Sequence, residues 1–146
     1  MSETHDAVSR ILESESTQAE ETKRFNAERA ILLGLAPDKW REIKEAITRE
    51  CNAVTRASHR LTFKCAEQGA NALEISRLYR DIWLSAAQFV YIEEVPAVFF
   101  EYQRAGDSVS GNLRFALCGS TVTLVIGNAG IILPHFLTQL LIDISR

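Results

Sequence analysis

Side chains that could catalyse a reaction are few and far apart in this sequence. The chain holds three histidines and three cysteines: His5, His59, His135, Cys51, Cys65 and Cys118. Nucleophilic catalysis by cysteine needs an imidazole within hydrogen-bonding distance of the thiol. Only Cys51, His59 and Cys65 are close in sequence, and their spacing matches no common metal-ligand motif. We therefore expect core thiols and an exposed loop histidine at these positions.

Three other motifs with chemical potential are equally weak. Residues 127–130 (Gly-Asn-Ala-Gly) precede a helix but lack the lysine of a phosphate-binding loop, which favours a plain connection. Glu93 and Glu94 are adjacent, and adjacent side chains of an extended segment point to opposite faces. Gly119-Ser120 lacks the Gly-x-Ser-x-Gly pattern of a hydrolase nucleophile. The sequence therefore predicts no enzyme, no cofactor and no metal site.

The composition is typical of one folded domain. Of the 146 residues, 47% are apolar and 24% are charged, which suffices for a core without disulfides. No apolar stretch approaches the roughly 18 residues that span a bilayer, and residues 1–10 lack the apolar segment of a secretory signal. The cysteines are odd in number and widely spaced among apolar neighbours. This pattern predicts buried free thiols and a cytoplasmic location, without membrane contact.

Charge is unevenly distributed along the chain. The net charge is −3, yet residues 1–35 hold seven acids and four bases, whereas residues 36–64 hold four acids and seven bases. An acidic chain argues against nucleic acid as a partner. One basic cluster stands out, formed by Arg49, Arg56, Arg60 and Lys64. It could meet an acidic partner, such as the N-terminal segment of a second copy, or it is an ordinary solvated face.

The first 35 residues predict a helical arm. Residues 3–33 lack glycine and proline, which indicates a helix that ends at Gly34. Large apolar side chains occur in residues 8–12 and again in residues 25–33, but residues 13–24 contain none. A helix with a polar middle cannot pack on one core along its whole length. Residues 1–35 therefore form two helices, a projecting arm that pairs with another chain, or a mobile terminus.

Two further helices follow from apolar stripes at spacings of three and four residues. Residues 36–59 predict one, with Pro37 in its first turn and a stripe formed by Trp40, Ile43, Ile47, Cys51 and Val54. Residues 131–146 predict the other, with Pro134 in its first turn and a stripe formed by Leu137, Leu140, Leu141 and Ile144. Each stripe indicates a helix that packs on a core.

Between these helices, residues 60–127 predict an antiparallel sheet, because their apolar residues alternate. Residues 105–111 indicate a long loop. Residues 72–92 fit either one helix or two strands, and their β-branched and aromatic content favours strands at 72–80 and 84–92. The predicted fold is α+β: two N-terminal helices, an antiparallel meander of about six strands and a C-terminal helix packed on the sheet, in one domain.

One face of such a sheet packs on helices and the other meets water or a partner. Trp83 and Phe99 belong to two aromatic-rich strands, and Phe99 and Phe100 must face opposite ways. We hypothesise a non-enzymatic interaction domain that forms a homodimer, or binds another protein, through its arm and exposed sheet face. Its candidate contact residues are Arg49, Arg56, Arg60, Lys64, Trp83 and Phe99. The alternative is a small apolar ligand held between helices and sheet near Trp83 and Phe99.

Overall fold

The chain forms one long helix, a single sheet and a short C-terminal helix. The structure is a computed structural model that describes the backbone of residues 2–146 and the side chains of residues 4–146. The helices are α1 (Ser2–Ala57) and α2 (Leu133–Ile144). The strands are β1 (Phe63–Glu67), β2 (Ala72–Tyr79), β3 (Ile82–Ile92), β4 (Ala97–Arg104), β5 (Asp107–Cys118), β6 (Thr121–Ile126) and β7 (Ala129–Ile131). The predicted α+β class is confirmed, with one helix fewer and one strand more than expected.

The sheet is an antiparallel meander in which each strand pairs with the next one along the chain. The ambiguous residues 72–92 form two strands, as predicted. They are joined by a tight turn at Arg80 and Asp81, whose φ angles of 50° and 66° are both positive, as in a type I′ turn. Gly119, with φ 65°, begins the tight β5–β6 turn.

Two loops are shorter than the sequence predicted. The loop expected at residues 105–111 is a turn at Ala105-Gly106, because β5 already begins at Asp107. The loop expected at residues 127–130 is a turn at Gly127-Asn128, and the residues after it pair with β6. Glycine correctly marked both turns, but local sequence does not show where cross-strand pairing resumes.

The helix boundary predicted at Gly34 and Pro37 is wrong. Helix α1 runs through both residues for 56 residues, a length of about 84 Å at 1.5 Å per residue. An internal proline removes one backbone hydrogen bond and crowds the preceding turn. Here Ala36 and Trp40 flank Pro37 and are buried against the sheet, which holds the helix across this point. Leu33 and Pro37 also line a groove of about 510 Å³, so water has room to reach the unbonded carbonyl of Leu33.

The C-terminal half of α1 packs on one face of the sheet. Its buried stripe consists of Ala36, Trp40, Ile43, Ile47 and Cys51. Opposite it, Phe89, Val98 and Leu113 are fully buried on the central strands. At the end of the helix, the Phe63 N–H donates to the Thr55 hydroxyl at 3.0 Å. Apolar packing and this polar contact therefore align α1 with β1.

Helix α2 covers another part of the same face. The Tyr102 hydroxyl on β4 donates to the buried Asp143 carboxylate at 3.1 Å, and Gln139 donates to the other carboxylate oxygen at 3.0 Å. The Arg77 guanidinium donates to the Ile144 carbonyl at 3.2 Å. A positive charge is favoured at a helix C-terminus, so this contact also holds α2 in place.

The two ends of the sheet meet different parts of α1. Arg29 donates to the carbonyls of Glu94 and Val95 in the β3–β4 turn, and the helix leaves the sheet beyond that contact. The β2–β3 turn lies at the other end, beside the C-terminus of α1, because Phe63 contacts that terminus and pairs with Arg77 near the end of β2. The N-terminal part of α1 and the β2–β3 turn are therefore at opposite ends of the molecule.

Candidate interaction surfaces

The first candidate surface is the arm, which we define as residues 4–24 of α1. Every side chain of the arm is exposed except the half-buried Ser9. The arm is about 31 Å long, since a helix rises 1.5 Å per residue. Val8, Ile11 and Leu12 are each 50% to 59% exposed. Among the described residues, no helix combines the length and the apolar character needed to cross a bilayer.

The apolar side chains of the arm continue the stripe that packs on the sheet. Steps of three or four residues back from Trp40 pass through Leu32, Phe25, Ile11 and Val8. Leu32 packs against the core, whereas Phe25 is 63% exposed. The intermediate positions are polar: Glu15, Gln18 and Thr22. We call residues 25–146 the body. One face of α1 is thus apolar in the body, mixed in the arm and without a covering element in the arm.

The outer face of the sheet, turned away from α1 and α2, carries Phe99. Its neighbours Val98 and Phe100 are buried in the core, so Phe99 points the opposite way. It pairs with Val90 on β3 and with Asn112 on β5, and both are exposed. Phe99 itself is half-buried among these neighbours. Phe99 and Val90 therefore supply apolar surface at the centre of the outer face.

Trp83 lies on the same outer face near the start of β3. It pairs with Leu78, and the Lys64 ammonium on β1 lies 4.6 Å from the centroid of its indole ring. An exposed cation–π contact of this kind contributes about 0.5–1 kcal/mol. The structure thus brings two predicted contact residues together. The alternative hypothesis placed a ligand pocket between helices and sheet near Trp83 and Phe99. Both side chains face away from the helices, so they do not line such a pocket.

The second candidate surface is the hairpin tip, which we define as residues 79–84. Its apolar side chains are 42% to 61% exposed: Tyr79, Ile82, Trp83 and Leu84. Consecutive strand residues point to opposite faces, so the run Ile82-Trp83-Leu84 places apolar side chains on both faces of the hairpin. Contiguous exposed apolar groups of this kind mark contact sites, whereas isolated ones need no explanation.

Basic side chains surround the hairpin tip. The Leu78 N–H donates to the Thr62 carbonyl at 3.0 Å, which extends the β1–β2 pairing and places residues 60–62 beside the tip. Asp81 is the one acid of the tip. Arg60, Lys64 and Arg80 are exposed beside or within the tip, and Arg56 is exposed in the adjoining last turn of α1. The tip therefore combines an apolar surface with a positive charge.

The other two predicted basic residues lie on α1, with Arg56 in its last turn. Arg49 and Arg56 are exposed on α1, where they line a shallow groove of about 550 Å³. Lys44 of the same groove is neutralised by Glu67 at 3.0 Å. Three of the four predicted basic residues, Arg56, Arg60 and Lys64, therefore belong to the end of the molecule that carries the tip, and Arg49 lies about two turns further back along α1.

The three thiols differ in exposure. Cys51 is buried, Cys65 is half-buried and Cys118 is exposed, so the prediction of a buried thiol is wrong for Cys118. Cys51 and Cys65 adjoin each other between α1 and β1, and the hydrogen bond between them lowers the pKa of Cys65. The same bond, followed by burial, raises the pKa of Cys51. His59 lies in an exposed loop, and over the described part of the chain no three metal-ligating side chains converge.

Sequence reasoning identified Trp83 but missed Tyr79, Ile82 and Leu84 as surface residues. The apolar run that follows Asp81 is the sequence feature that could have revealed these exposed residues. In a strand with one buried face, successive residues cannot all reach the core, so at least one of three must face outward.

The chain matches no protein-family model, and neither a curated protein nor a solved structure is significantly similar to it. What the protein does must therefore follow from the arm, the hairpin tip and the outer sheet face.

Proposed function

We propose that this protein is a non-catalytic, cytoplasmic interaction domain that associates with a second copy of itself through its arm. The observation that carries the proposal is that the arm exposes apolar side chains on the helix face that is buried in the C-terminal half of α1. Cys51 and Cys65 are adjacent yet free, which fits a reducing compartment.

The physical chemistry of a free helix supports a partner for the arm. Isolated helices are marginal in water, because most helical stability comes from packing an apolar face. Fully burying one Leu or Ile side chain contributes about 1.5–3 kcal/mol. A contact that covers Val8, Ile11 and Leu12 therefore offsets much of the entropy cost of bringing two copies together.

The polar middle of the arm fits a reversible contact. Glu15, Gln18 and Thr22 occupy the stripe positions between Ile11 and Phe25. Polar residues in a helical seam lower its stability but fix the register of the two partners. The arm is therefore suited to a specific association that depends on protein concentration.

The outer sheet face supplies a second, smaller contact area in this proposal. Phe99 and Val90 pair at its centre, and Gln88 and Glu101 form the next pair on the same face. A small apolar area of this kind contributes little alone, but it adds to the affinity once the arm holds two copies together.

Sedimentation velocity of the full-length chain tests the proposal. Between about 1 and 100 µM, we expect the weight-average sedimentation coefficient of the wild-type protein to rise. The variant I11S/L12S should remain monomeric, because it loses the apolar surface of the arm.

The matched control is E13S/T17S, which also places two serines in the arm but on the other side of the helix. It should associate like the wild type, and circular dichroism should show equal helix content in both variants. A wild-type chain that stays monomeric over the whole range would disprove the proposal. Equal loss of association in the control would also disprove it, since the apolar stripe would then be irrelevant.

A further inference from the structure

Two free thiols meet where the C-terminal end of α1 packs on β1. The thiols of Cys51 and Cys65 share a hydrogen bond. The Cys65 sulfur also lies 4.0 Å from the Ile47 carbonyl oxygen, which accepts the Cys51 N–H in the hydrogen-bond pattern of an α-helix. This second contact places the Cys65 sulfur within one helical turn of Cys51. Helix and strand therefore hold the two thiols side by side.

The two thiols differ in how readily a reagent reaches them and in how readily they ionise. Cys51 is 1% exposed, whereas Cys65 is half-buried and has the exposed Thr48 beside it. The hydrogen bond with Cys51, assisted by one with Thr48, lowers the pKa of Cys65, while burial and the bond with Cys65 raise the pKa of Cys51. The thiolate is the reactive form of cysteine, so Cys65 is the better nucleophile of the two.

The third thiol lies too far away to join this pair in the folded chain. Cys118 ends β5, and three strands separate β5 from β1 in the sheet. Neighbouring strands are about 4.8 Å apart, so four spacings put roughly 19 Å between β1 and β5. A disulfide needs its two Cα atoms within about 7 Å of each other. Of the three cysteines, Cys51 and Cys65 are therefore the two that are placed to form a disulfide.

We propose that Cys65 and Cys51 form a hydroperoxide-reactive site that closes a disulfide between β1 and α1. The Cys65 thiolate attacks one oxygen of hydrogen peroxide, the O–O bond breaks, and the departing hydroxide takes up the proton that Cys65 released. The Cys51 sulfur then attacks the sulfenic acid on Cys65, the S–S bond forms, and the S–O bond breaks as hydroxide leaves with the Cys51 proton. Two thiols are thus oxidised to one disulfide while one peroxide is reduced to two molecules of water.

This disulfide links the edge of the sheet to the helix that packs on it. Within the described sheet, β1 pairs only with β2. The new bond closes a loop of residues 51–65 and restricts the unfolded chain more than the folded one, which raises stability. A dithiol reverses the step by thiol–disulfide exchange and is itself oxidised. The site lies in the body, so the inference goes beyond the proposed function and does not depend on association through the arm.

Peptide mapping of the full-length chain tests the site. Native protein is treated with hydrogen peroxide, its remaining thiols are blocked with N-ethylmaleimide, and trypsin then places Cys51 and Cys65 on separate peptides, residues 50–56 and 65–77. We expect mass spectrometry to find these two peptides joined by a disulfide and Cys118 joined to neither. The control is protein unfolded in urea before the same treatment, in which all three pairings should appear. The same mixture from native protein, or no link between the two peptides, overturns the proposal.

Single variants test the order of the two steps. In C51S the sulfenic acid on Cys65 has no neighbouring thiol to attack it, so dimedone should trap it during peroxide treatment. In C65S the buried Cys51 should remain unlabelled, with the exposed Cys118 as the internal reference in both variants. Equal labelling of Cys51 and Cys65 overturns the assignment of Cys65 as the first site of oxidation. Circular dichroism checks that both variants fold, and the map of the wild-type chain decides the proposal if either does not.

Thermal unfolding measures the effect of the cross-link. The peroxide-treated wild-type chain should unfold about 10 °C higher than the same sample after reduction with dithiothreitol. C65S is the control and should show no difference between the two treatments, because it cannot form the disulfide. A disulfide between Cys51 and Cys65 that leaves the midpoint unchanged overturns the fastening of α1 to β1. An equal shift in C65S overturns it as well, since the shift would then have another cause.

Discussion

One face of helix α1 carries apolar residues that are buried in its C-terminal half and exposed in the arm. Ile47 in the C-terminal half is 1% exposed, whereas Ile11 in the arm is 58% exposed. The sheet lies along the C-terminal half of α1 and ends near Arg29. An apolar stripe therefore determines that a helix face will pack, but the neighbouring elements determine what it packs against. Where the chain supplies no cover, the stripe is available to another chain.

Strand β3 shows the same contrast over a shorter distance. Phe89 and Tyr91 are buried beneath the helices, while Ile82, Trp83 and Leu84 at the other end of the strand are exposed. The apolar residues at both exposed regions exceed what folding of one copy requires. Substitutions in the body and in the arm test whether the two are independent.

The largest effect should come from truncating the stripe in the body. Ile47→Ala removes fully buried methyl groups and should lower the free energy of unfolding by about 2–5 kcal/mol. Ile11→Ala in the arm should change it by less than about 0.5 kcal/mol. Urea denaturation at a protein concentration low enough to keep the chain monomeric measures both. An equal loss in the arm variant would show that the arm packs on its own domain.

A smaller effect should come from the polar contact that holds α2 on the sheet. Tyr102→Phe removes the hydroxyl that donates to Asp143 and should lower the free energy of unfolding by about 1–2 kcal/mol. Association through the arm should not change, because Tyr102 lies in the body. A variant that also loses self-association would show that body and arm are not independent.

Tyr102 also makes the stability of the folded chain depend on pH in the alkaline range. Burial, followed by the hydrogen bond to Asp143, raises the pKa of Tyr102 above its ordinary value of 10.0. The folded chain therefore keeps this proton at a pH where the unfolded chain releases it. The contribution of Tyr102 to the free energy of unfolding is complete below about pH 10 and is lost as the pH rises through its raised pKa. Urea denaturation above pH 10 should show a steeper loss of stability in the wild type than in Tyr102→Phe.

The smallest effect should appear near the junction of body and arm. Gly34 lies within α1, and a Cβ added there meets no atom within 4 Å. Gly34→Ala should therefore raise the free energy of unfolding by about 0.5–1 kcal/mol, since alanine favours the helix. Gly69→Ala is the control, because its site is equally open but its φ of +85° disfavours a side chain. A Gly34→Ala variant that is destabilised would indicate a broken helix.

Sequence by itself determined most of the strands and the packing faces of the helices, because their signals are local. Alternating apolar residues specified the strands of the meander other than β7, including residues 72–92, where a helix was the competing interpretation. Stripes at spacings of three and four specified the packing faces of α1 and α2. The residues 119–120 and 127–128 marked turns through their glycines.

Tertiary structure alone decided how these elements join and what they leave uncovered. Gly34 and Pro37 are local helix breakers, yet α1 continues through them because Ala36 and Trp40 are buried on the sheet. The contact of Lys64 with Trp83 depends on the pairing of three strands. The exposure of the arm and the hairpin tip depends on where the covering elements end. These properties arise from packing between segments distant in sequence, which no local pattern of residues encodes.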